Sequence, residues 1–295
     1  MRTVAEHQFV FRFGKREYDL CGRTHLMGIL NVTPDSFSDG GKFQSIDLAM
    51  HRGLQMVEEG ADIIDVGGES TRPRGRSYGE GADNVSMDEE LRRVIPVIEK
   101  LVMHTDAPIS IDTYKSEVAR AALSAGATIV NDISGFMFDP AMPRVVAEAG
   151  ASAVVMHIQG TPKTMQQNPS YTDLMDEVGA YLAGSVEKGR AVGIEQMIID
   201  PGIGFGKRLE HNLQLIAQLD QFATLGCPIL VGPSRKSFIG AILDVGVDDR
   251  LEGSIAAAVT CVLNGAHIVR VHDVKETKRA VLVADAFRQA TAKQA

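Results

Sequence analysis

The fold is decided by the stretch Leu26-Met-Gly-Ile-Leu-Asn31-Val-Thr-Pro-Asp35-Ser-Phe-Ser-Asp-Gly-Gly41. From Leu26 to Leu30 it is apolar on both faces apart from Gly28, which is typical of a strand buried on both sides in a parallel sheet. The rest is rich in Asn, Asp, Ser, Pro and Gly, the residues that form turns. Because α/β proteins place functional groups on loops after buried strands, the stretch predicts an α/β fold with a site here.

The same layout of buried strand, polar loop and helix recurs along the chain. Strands are predicted at 25–31, 62–67, 108–112, 129–133, 152–157, 197–200, 228–232 and 268–272. Helices are predicted at 45–60, 86–104, 116–125, 140–149, 172–192, 209–222, 250–264 and 275–290. Ser86 and Ser116 are predicted N-caps, because a serine oxygen can accept the first backbone amides of a helix. Eight such units predict a (β/α)8 TIM barrel, and a doubly wound open sheet is the alternative.

An extension precedes these units. Residues 9–24 alternate apolar and polar side chains around Gly14-Lys15, which predicts a β-hairpin. We expect residues 1–24 to close the base of the barrel and the whole chain, 1–295, to form a single domain. No internal repeat of residues accompanies the repeated layout.

Composition excludes several classes of protein. The formal net charge of -8 argues against nucleic-acid binding, which needs a basic surface. No apolar run approaches the roughly 18 residues of a membrane span, so no membrane contact is expected. The cysteines, Cys21, Cys227 and Cys261, have no CxxC spacing, and no signal peptide is recognised at the N-terminus. These features predict a reduced cytoplasmic protein.

Polar side chains stand at the predicted carboxyl ends of the strands, and in a barrel these ends open on one face. They are Asn31, Asp65, Glu69, Arg72, Asp112, Asn131, Asp132, His157, Asp200, Ser234, Arg235, Lys236, Ser237, Arg270 and His272. Asp112, Asn131 and Asp200 supply carboxylate and amide edges, which suit a flat heterocycle with several N–H donors and acceptors. Arg270 and His272 lie two apart on one strand, share a side and suit a phosphorylated group.

Two further features suit an anionic ligand and its counter-ion. Ser237 lies at a predicted helix start, where backbone amides attract anions. Asn31 and Asp35 offer oxygen ligands of the kind that Mg²⁺ takes alongside substrate phosphates. By contrast, Gly202-Ile-Gly-Phe-Gly-Lys207 only resembles a P-loop, because Arg208 stands where that motif needs Ser or Thr.

Seven motifs at successive strand ends together resemble the dihydropteroate synthases. They are Asn31-Val-Thr-Pro-Asp-Ser-Phe-Ser-Asp-Gly-Gly41, Gly67-Gly-Glu-Ser-Thr-Arg-Pro73, Ser110-Ile-Asp-Thr113, Asn131-Asp-Ile-Ser134, Asp200-Pro-Gly-Ile-Gly-Phe-Gly-Lys207, Ser234-Arg-Lys-Ser-Phe238 and Arg270-Val-His272. The resemblance implies a barrel transferase of folate biosynthesis and a target of sulfonamides. It would join 6-hydroxymethyl-7,8-dihydropterin diphosphate to p-aminobenzoate and release diphosphate with the help of Mg²⁺. A homodimer is implied by the resemblance alone.

The resemblance also implies roles for the matching residues. Those implied to bind or line the pocket of the pterin ring are Asp112, Asn131, Asp200, Lys236, Met156 and Phe205. Those implied to hold the diphosphate are Arg270, His272 and Asn31. Arg270 would also stack on the pterin ring, and Asn31 would also be the ligand of Mg²⁺. The residues implied to close over the site are Asp35, Thr71, Arg72 and Pro73, and Ser237 would bind the p-aminobenzoate carboxylate. The catalytic set would be Asp35, Arg72, Asp112 and Lys236.

One departure and two alternatives remain. An apparent insertion at Arg74–Gly81 follows the second motif, and it leaves the binding of p-aminobenzoate and sulfonamides open. The chain could be a paralogue that binds pterin without turnover. It could also be a methyltransferase of the same barrel type that acts on methyltetrahydrofolate with a corrinoid protein, although no cobalamin domain is recognised.

Overall fold

The computed structural model describes residues 9–33, 42–70 and 85–292. The strands are β1 (Val10–Phe13), β2 (Arg16–Asp19), β3 (His25–Asn31), β4 (Ile63–Gly67), β5 (Ile109–Asp112), β6 (Ile129–Asp132), β7 (Ser152–Met156), β8 (Met197–Asp200), β9 (Leu230–Val231) and β10 (Ile268–Val271). The helices are α1 (Lys42–Glu58), α2 (Met87–His104), α3 (Ser116–Ser124), α4 (Met142–Glu148), α5 (Leu174–Ala191), α6 (Leu209–Ala217), α7 (Ser237–Leu243), α8 (Leu251–Leu263) and α9 (Val274–Ala292). Among these residues, no helix has both the length and the hydrophobicity to traverse a bilayer.

The parallel strands β3 to β10 form a closed barrel. Their order in the sheet is β8-β7-β6-β5-β4-β3-β10-β9. A parallel bridge between Ile199 and Ile229 joins the two outer strands and closes the ring. The predicted (β/α)8 barrel is therefore confirmed, and the alternative of an open doubly wound sheet is wrong. The predicted strand at 228–232 is shorter than expected, since only Leu230 and Val231 pair fully with β10.

The N-terminal hairpin covers the base of the barrel, as predicted. Strands β1 and β2 are antiparallel and pair from Val10 with Asp19 to Phe13 with Arg16. The apolar side chains of Phe11, Phe13 and Leu20 pack against the first inward-facing residues of the strands. Those residues are Met27, Ile63, Ile129, Val154, Ile198, Leu230 and Ile268. Burial of these groups removes water from the base and ties the extension to the barrel.

The interior of the barrel changes from apolar to polar along its axis. Side chains two residues apart on a strand point the same way, so each residue two places beyond the apolar base layer also faces inward. These next positions hold Ile29, Asp65, Asn131, Met156, Asp200, Gly232 and Arg270. The hairpin thus closes one end of the barrel while the polar groups gather toward the carboxyl ends of the strands.

The two predicted helix caps have different outcomes. Ser86 precedes α2, and its side-chain oxygen accepts the backbone N–H of Glu89 at 3.3 Å, as expected. The prediction for Ser116 is wrong, because Ser116 is the first residue of α3 and Lys115 occupies the N-cap position without a side-chain capping hydrogen bond. The backbone N–H of Ser116 instead donates to Asp139 Oδ2 at 2.8 Å. A carboxylate from a distant loop therefore accepts a backbone N–H at the start of α3, as an N-cap side chain would.

Candidate functional site

A cavity of about 740 Å³ opens at the carboxyl ends of the barrel strands. It is lined by side chains from several strands and from the loops that follow β8 and β9. Among its lining residues are Asn31, Asp112, Asn131, Met156, Asp200, Phe205, Lys236, Arg270 and His272. Glu69, Ser234 and Arg235 also line it, so the structure brings together twelve of the residues singled out in the sequence, from positions spread along the chain.

A wider and shallower cleft of about 1070 Å³ lies at the opposite end, beside the hairpin. Several of its charged groups already have hydrogen-bond partners in the protein. The Arg23 guanidinium binds both carboxylate oxygens of Asp62, and Asp285 accepts from both the backbone and the hydroxyl of Thr24. The carboxyl-end cavity is the better candidate site, because it is deeper and its polar groups converge on an enclosed volume.

Arg270 joins two carboxylates at the floor of this cavity. Its Nε donates to Asp65 Oδ2 and its Nη2 donates to Asp112 Oδ2, each at 2.6 Å. The same Asp65 oxygen accepts Asn131 Nδ2 at 3.0 Å. Asp65 is fully buried, and its other oxygen has no hydrogen-bond partner among the described residues. Asp65 thus fixes both Arg270 and Asn131 from below the cavity.

The role of Asp65 is what sequence reasoning missed. From the sequence alone, Asp65 is a polar residue at a strand end without a predicted role. The available signal was a carboxylate within the otherwise apolar strand Ile63-Ile-Asp-Val-Gly67. A buried charge in such a strand needs a partner, and the partner lies 205 residues further along the chain.

Asp112 and Arg270 influence each other's protonation. Burial raises the pKa of Asp112 to about 7, although the nearby Arg270 charge acts in the opposite direction. Burial also opposes the charge of Arg270, but Asp65 and Asp112 outweigh it and raise the pKa of the guanidinium. Arg270 therefore stays charged, and its contact favours the ionised form of Asp112 against the effect of burial.

Asp200 is held at the start of the loop after β8. Its Oδ1 accepts the backbone N–H of Gly202 at 2.7 Å, and only 5% of the residue is exposed. Burial raises the pKa of Asp200 to about 6, against the effect of the Gly202 amide and of Lys236. Gly202 has a φ of +72°, and a Cβ there would lie 1.9 Å from the carbonyl oxygen of His157. Glycine is therefore required for this turn.

Lys236 and Phe205 form one wall of the cavity. The Lys236 Nζ lies 4.1 Å from the centroid of the Phe205 ring, a cation–π contact. Burial lowers the pKa of Lys236 to about 8, and Arg270 acts in the same direction. Met156 belongs to a small apolar cluster with Ile133, Ile158 and Met165, against which Phe205 packs. This wall is flat, apolar and edged by one positive charge.

His272 is oriented as a neutral hydrogen-bond donor. The Ser234 hydroxyl accepts the backbone N–H of His272 at 3.3 Å and lies 3.0 Å from its Nδ1. A hydroxyl that accepts this backbone N–H can donate its own hydrogen to Nδ1, and in that tautomer the ring proton is on Nε2. Burial, together with Arg270, lowers the pKa of His272 to about 3, so that the ring is neutral at pH 7. Asn31, at the end of β3, is half-buried and also lines the cavity.

Some predicted site residues are not seen in the cavity. Ser237 begins α7 and is half-buried, but it is not one of the residues that line the cavity. Asp35, Thr71, Arg72 and Pro73 lie outside the described residues, as does the insertion at Arg74–Gly81. Within the ranges 9–33, 42–70 and 85–292, no three His, Cys, Asp or Glu side chains converge as metal ligands.

The chain is similar to known pterin-binding enzymes. The family described as "Pterin binding enzyme" matches residues 27–272. The chain is 50% identical to the dihydropteroate synthase of Synechocystis over 277 residues, which cover 93% of each protein. It also resembles a Yersinia pestis dihydropteroate synthase solved with a sulfonamide drug, with a TM-score of 0.87, 43% identity and coverage of 95% of this chain and 100% of that one.

A further solved structure carries a different ligand. The Xanthomonas albilineans dihydropteroate synthase in complex with 7,8-dihydropteroate has a TM-score of 0.83 and 39% identity, and the match covers 95% of this chain and 98% of that one. These matches span nearly the full length of the chain, including the strands that build the cavity. The chain belongs to the family of pterin-binding enzymes that includes these dihydropteroate synthases.

Proposed function

We propose that this chain condenses 6-hydroxymethyl-7,8-dihydropterin diphosphate with p-aminobenzoate to give 7,8-dihydropteroate and diphosphate. The observation that carries the proposal is the gathering of Asp112, Asn131 and Asp200 in one cavity with Lys236 and Arg270. The similarity to dihydropteroate synthases along nearly the whole chain supports it.

The carboxylate and amide groups suit the edge of the pterin ring. The Asp200 carboxylate is fixed by the Gly202 amide, so it would accept ring N–H groups without losing much freedom. Asn131 gives one amide hydrogen to Asp65, which leaves its carbonyl oxygen and second hydrogen for a ligand. Because Met156 and Phe205 exclude water from the ring faces, each hydrogen bond would be stronger than in water.

The cationic groups suit the diphosphate. Arg270 would bind phosphate oxygens in a bidentate manner once it gives up Asp112, and the neutral His272 ring would donate from Nε2. We propose that Asn31 holds Mg²⁺ through its amide oxygen, because Mg²⁺ takes few protein ligands and completes its shell with substrate phosphates and water. When bound, the ion would neutralise charge on the leaving group.

The reaction needs one bond to break and one to form at the pterin methylene. The carbon–oxygen bond breaks as diphosphate leaves with its electron pair, and the remaining carbon carries positive charge. The Asp112 carboxylate, released by Arg270, would stabilise that charge. The aniline nitrogen then attacks and releases a proton. Because an aryl amine is already neutral at pH 7, no strong general base is required.

The test is product formation. Purified protein with both substrates and Mg²⁺ should yield dihydropteroate, which chromatography with a standard would detect. Removal of metal with EDTA should abolish turnover, and added Mg²⁺ should restore it. Pterin binding without product would instead favour the non-catalytic paralogue. Full activity without metal would contradict the role proposed for Asn31.

The methyltransferase alternative has less support. The curated relatives with about half of their residues identical are dihydropteroate synthases, and none of the properties of the cavity calls for a corrinoid partner. The alternative predicts methyl transfer from methyltetrahydrofolate to a corrinoid protein and no release of diphosphate. A release assay with the dihydropterin diphosphate would separate the two functions directly.

We also propose a homodimer formed through α8 and α9. These helices pack beside each other, and their outer sides expose Leu263 at 51%, Leu282 at 56%, Val283 at 57% and Phe287 at 65%. Large apolar side chains grouped in this way are typical of an interface. Light scattering after size-exclusion chromatography should give twice the mass of the chain, and Phe287→Asp should shift it toward the monomer.

A cytoplasmic location and competition by sulfonamides complete the proposal. No disulfide joins Cys21, Cys227 and Cys261, which suits a reducing compartment. The Yersinia pestis relative was solved with a sulfonamide drug, and we expect such drugs to compete with p-aminobenzoate here. A sulfonamide that leaves turnover unchanged at saturating concentration would contradict this expectation and point to the Arg74–Gly81 insertion.

A further inference from the structure

A buried lysine beneath the loop after β8 has no part in the reaction described above. Only 3% of Lys207 is exposed. Its Nζ donates to the carbonyl oxygen of Phe205 at 3.0 Å and to Nδ1 of His157 at 2.8 Å. These hydrogen-bond partners are a carbonyl and an imidazole rather than a carboxylate, so the ammonium charge is not neutralised by direct contact. A buried charge held in this way costs stability and calls for a functional reason. Burial lowers the pKa of Lys207 to about 7, so its charge is present on the acid side of neutral pH.

His157 is built to accept this hydrogen bond. Its ring packs against the rings of Tyr171 and Tyr181, with centroid distances of 6.0 and 4.8 Å. Burial and the neighbouring Lys207 charge lower the pKa of His157 far below its usual value, so the ring stays neutral. Its backbone N–H donates to the carbonyl oxygen of Asp200 at 3.0 Å. His157 therefore connects Lys207 to the strand end that carries Asp200.

The loop above Lys207 is folded tightly onto the end of β7. A Cβ at Gly206 would lie 2.7 Å from the carbonyl oxygen of Gln159, as close an approach as glycine alone permits. The Tyr171 hydroxyl donates to the carbonyl oxygen of Gly206 at 2.7 Å. Lys207 holds the carbonyl of Phe205 from beneath, and the Phe205 ring faces the cavity. The position of this ring thus depends on the buried lysine.

We propose that Lys207, held by His157, is a positioning residue for the pterin half of the site. It fixes Phe205 against the ring face and, through His157, places a buried positive charge near the Asp200 carboxylate that receives the N–H groups of the pterin. The inference rests on the proposed function and adds to it a pair of residues that do not touch the substrate.

The charges around Asp200 determine the direction in which the pKa of its carboxyl group moves. The titratable groups that face Asp200 are Lys207, Lys236, Arg270 and the thiol of Cys261. Burial raises the pKa of Asp200 to about 6, and the three cations act against this. Loss of the Lys207 charge would raise the pKa of Asp200 further, so the carboxyl group would hold its proton to higher pH. Pterin binding, which needs the ionised form of Asp200, would then be lost at a higher pH in the variant than in the wild type.

The test is the pH dependence of pterin binding. The affinity for 6-hydroxymethylpterin should be measured by calorimetry from about pH 5.5 to about pH 8.5 for the wild type and for Lys207→Met, which keeps the length of the side chain. We expect Lys207→Met to raise the pKa of Asp200 from about 6 by about one unit. On top of a uniform loss from the displaced Phe205 ring, this should weaken binding about eightfold near pH 5.5, about twofold near pH 7 and negligibly near pH 8.5. Lys188→Met, at an exposed lysine, is the matched control and should leave binding unchanged.

Two histidine variants keep the test decisive if Lys207→Met does not fold. His157→Asn retains an acceptor near the position of Nδ1 and should keep most of the affinity. His157→Leu removes this acceptor and should raise the pH below which pterin affinity is lost. In steady state, the KM for the dihydropterin diphosphate should rise while the KM for p-aminobenzoate stays unchanged.

Two results would overturn the inference. One is pterin binding by Lys207→Met or His157→Leu that equals the wild type at every pH. The other is a loss of affinity of the same size at every pH, which displacement of Phe205 alone would give and which would rule out an effect of the Lys207 charge on Asp200. Failure of the wild type to bind pterin or form dihydropteroate would be distinct, since it would overturn the proposed function itself.

Discussion

Replacement of Lys236 with methionine should make the protein more stable and almost inactive. The Lys236 ammonium lies against the Phe205 ring at the cavity wall. Burial lowers its pKa from 10.5 to about 8, Arg270 acts in the same direction, and Asp200 and Asp112 only partly oppose the shift. The charged form is therefore less favourable in the folded chain than in the unfolded chain, where lysine keeps its ordinary pKa.

The size of this effect follows from the two pKa values. Between pH 8 and 10.5 the unfolded chain binds the Lys236 proton more tightly than the folded chain, so this group makes stability rise with pH in that window. Below the folded pKa the whole penalty applies, about 3 kcal/mol at about 1.4 kcal/mol per pH unit. Methionine keeps the apolar stem and removes the charge. Because Lys236 is only half-buried, we expect Lys236→Met to gain about 1–3 kcal/mol near pH 7.

The assay combines urea unfolding, followed by circular dichroism, with measurement of dihydropteroate formation. The gain in the free energy of unfolding should shrink between about pH 7 and about pH 9.5, while turnover falls about 100- to 1000-fold. Lys275→Met, at an exposed lysine of α9, should change neither quantity. The reasoning would be refuted by a Lys236→Met variant less stable than the wild type near pH 7. It would also be refuted if the difference in the free energy of unfolding between the two proteins stayed constant with pH.

Two further substitutions test the fold around the site. Asp65→Asn should lower the free energy of unfolding by about 3 kcal/mol, because two buried donors share its carboxylate; Asp106→Asn, in an exposed ion pair, should cost less than about 1 kcal/mol in the same urea titration. Gly202→Ala should prevent correct folding or abolish pterin binding, whereas Gly150→Ala should cost only about 1 kcal/mol. Both glycines have positive φ, but a Cβ at Gly202 would meet a carbonyl oxygen at 1.9 Å and one at Gly150 meets nothing within 4 Å. Equal melting temperatures for the two alanine variants would contradict this difference.

The barrel could be predicted from the sequence because its signal is local. Each buried strand is a short apolar run followed by a polar loop, so the carboxyl end of each strand can be recognised in the sequence. The alternation of side chains along a strand then places Arg270 and His272 on the same side without any knowledge of tertiary contacts. Both residues do line the same cavity. The predicted end of β9 is less accurate, since the pairing of this strand depends on neighbouring strands rather than on its own residues.

What the sequence could not supply is the pairing of charges over long distances. Asp65 was recognised as a polar strand-end residue, but only the closed barrel brings Arg270 and Asn131 to its carboxylate. Lys207 drew attention as part of a broken P-loop motif, yet its burial against His157 depends on the turn of the loop after β8. The predicted N-cap of α3 is wrong for the same reason, because the carboxylate that accepts the Ser116 amide belongs to Asp139 in another loop.

The buried charges explain why the site must rearrange when substrate binds. Asp65, Asp112 and Asp200 face three cations, Arg270, Lys236 and Lys207. A diphosphate adds negative charge, and Arg270 can bind it only by giving up a carboxylate that it now holds at 2.6 Å.

Of its two partners, Asp112 is the one that can be released. Asp65 is fully buried and cannot reach a ligand, whereas 14% of the Asp112 side chain is exposed and Asp112 lines the cavity. Ring N–H groups or the cationic methylene would then replace the guanidinium at Asp112 and avoid an unpaired buried carboxylate. Asp65 would thus keep the guanidinium at the floor of the cavity, so that pterin and diphosphate assist each other's binding through a single arginine.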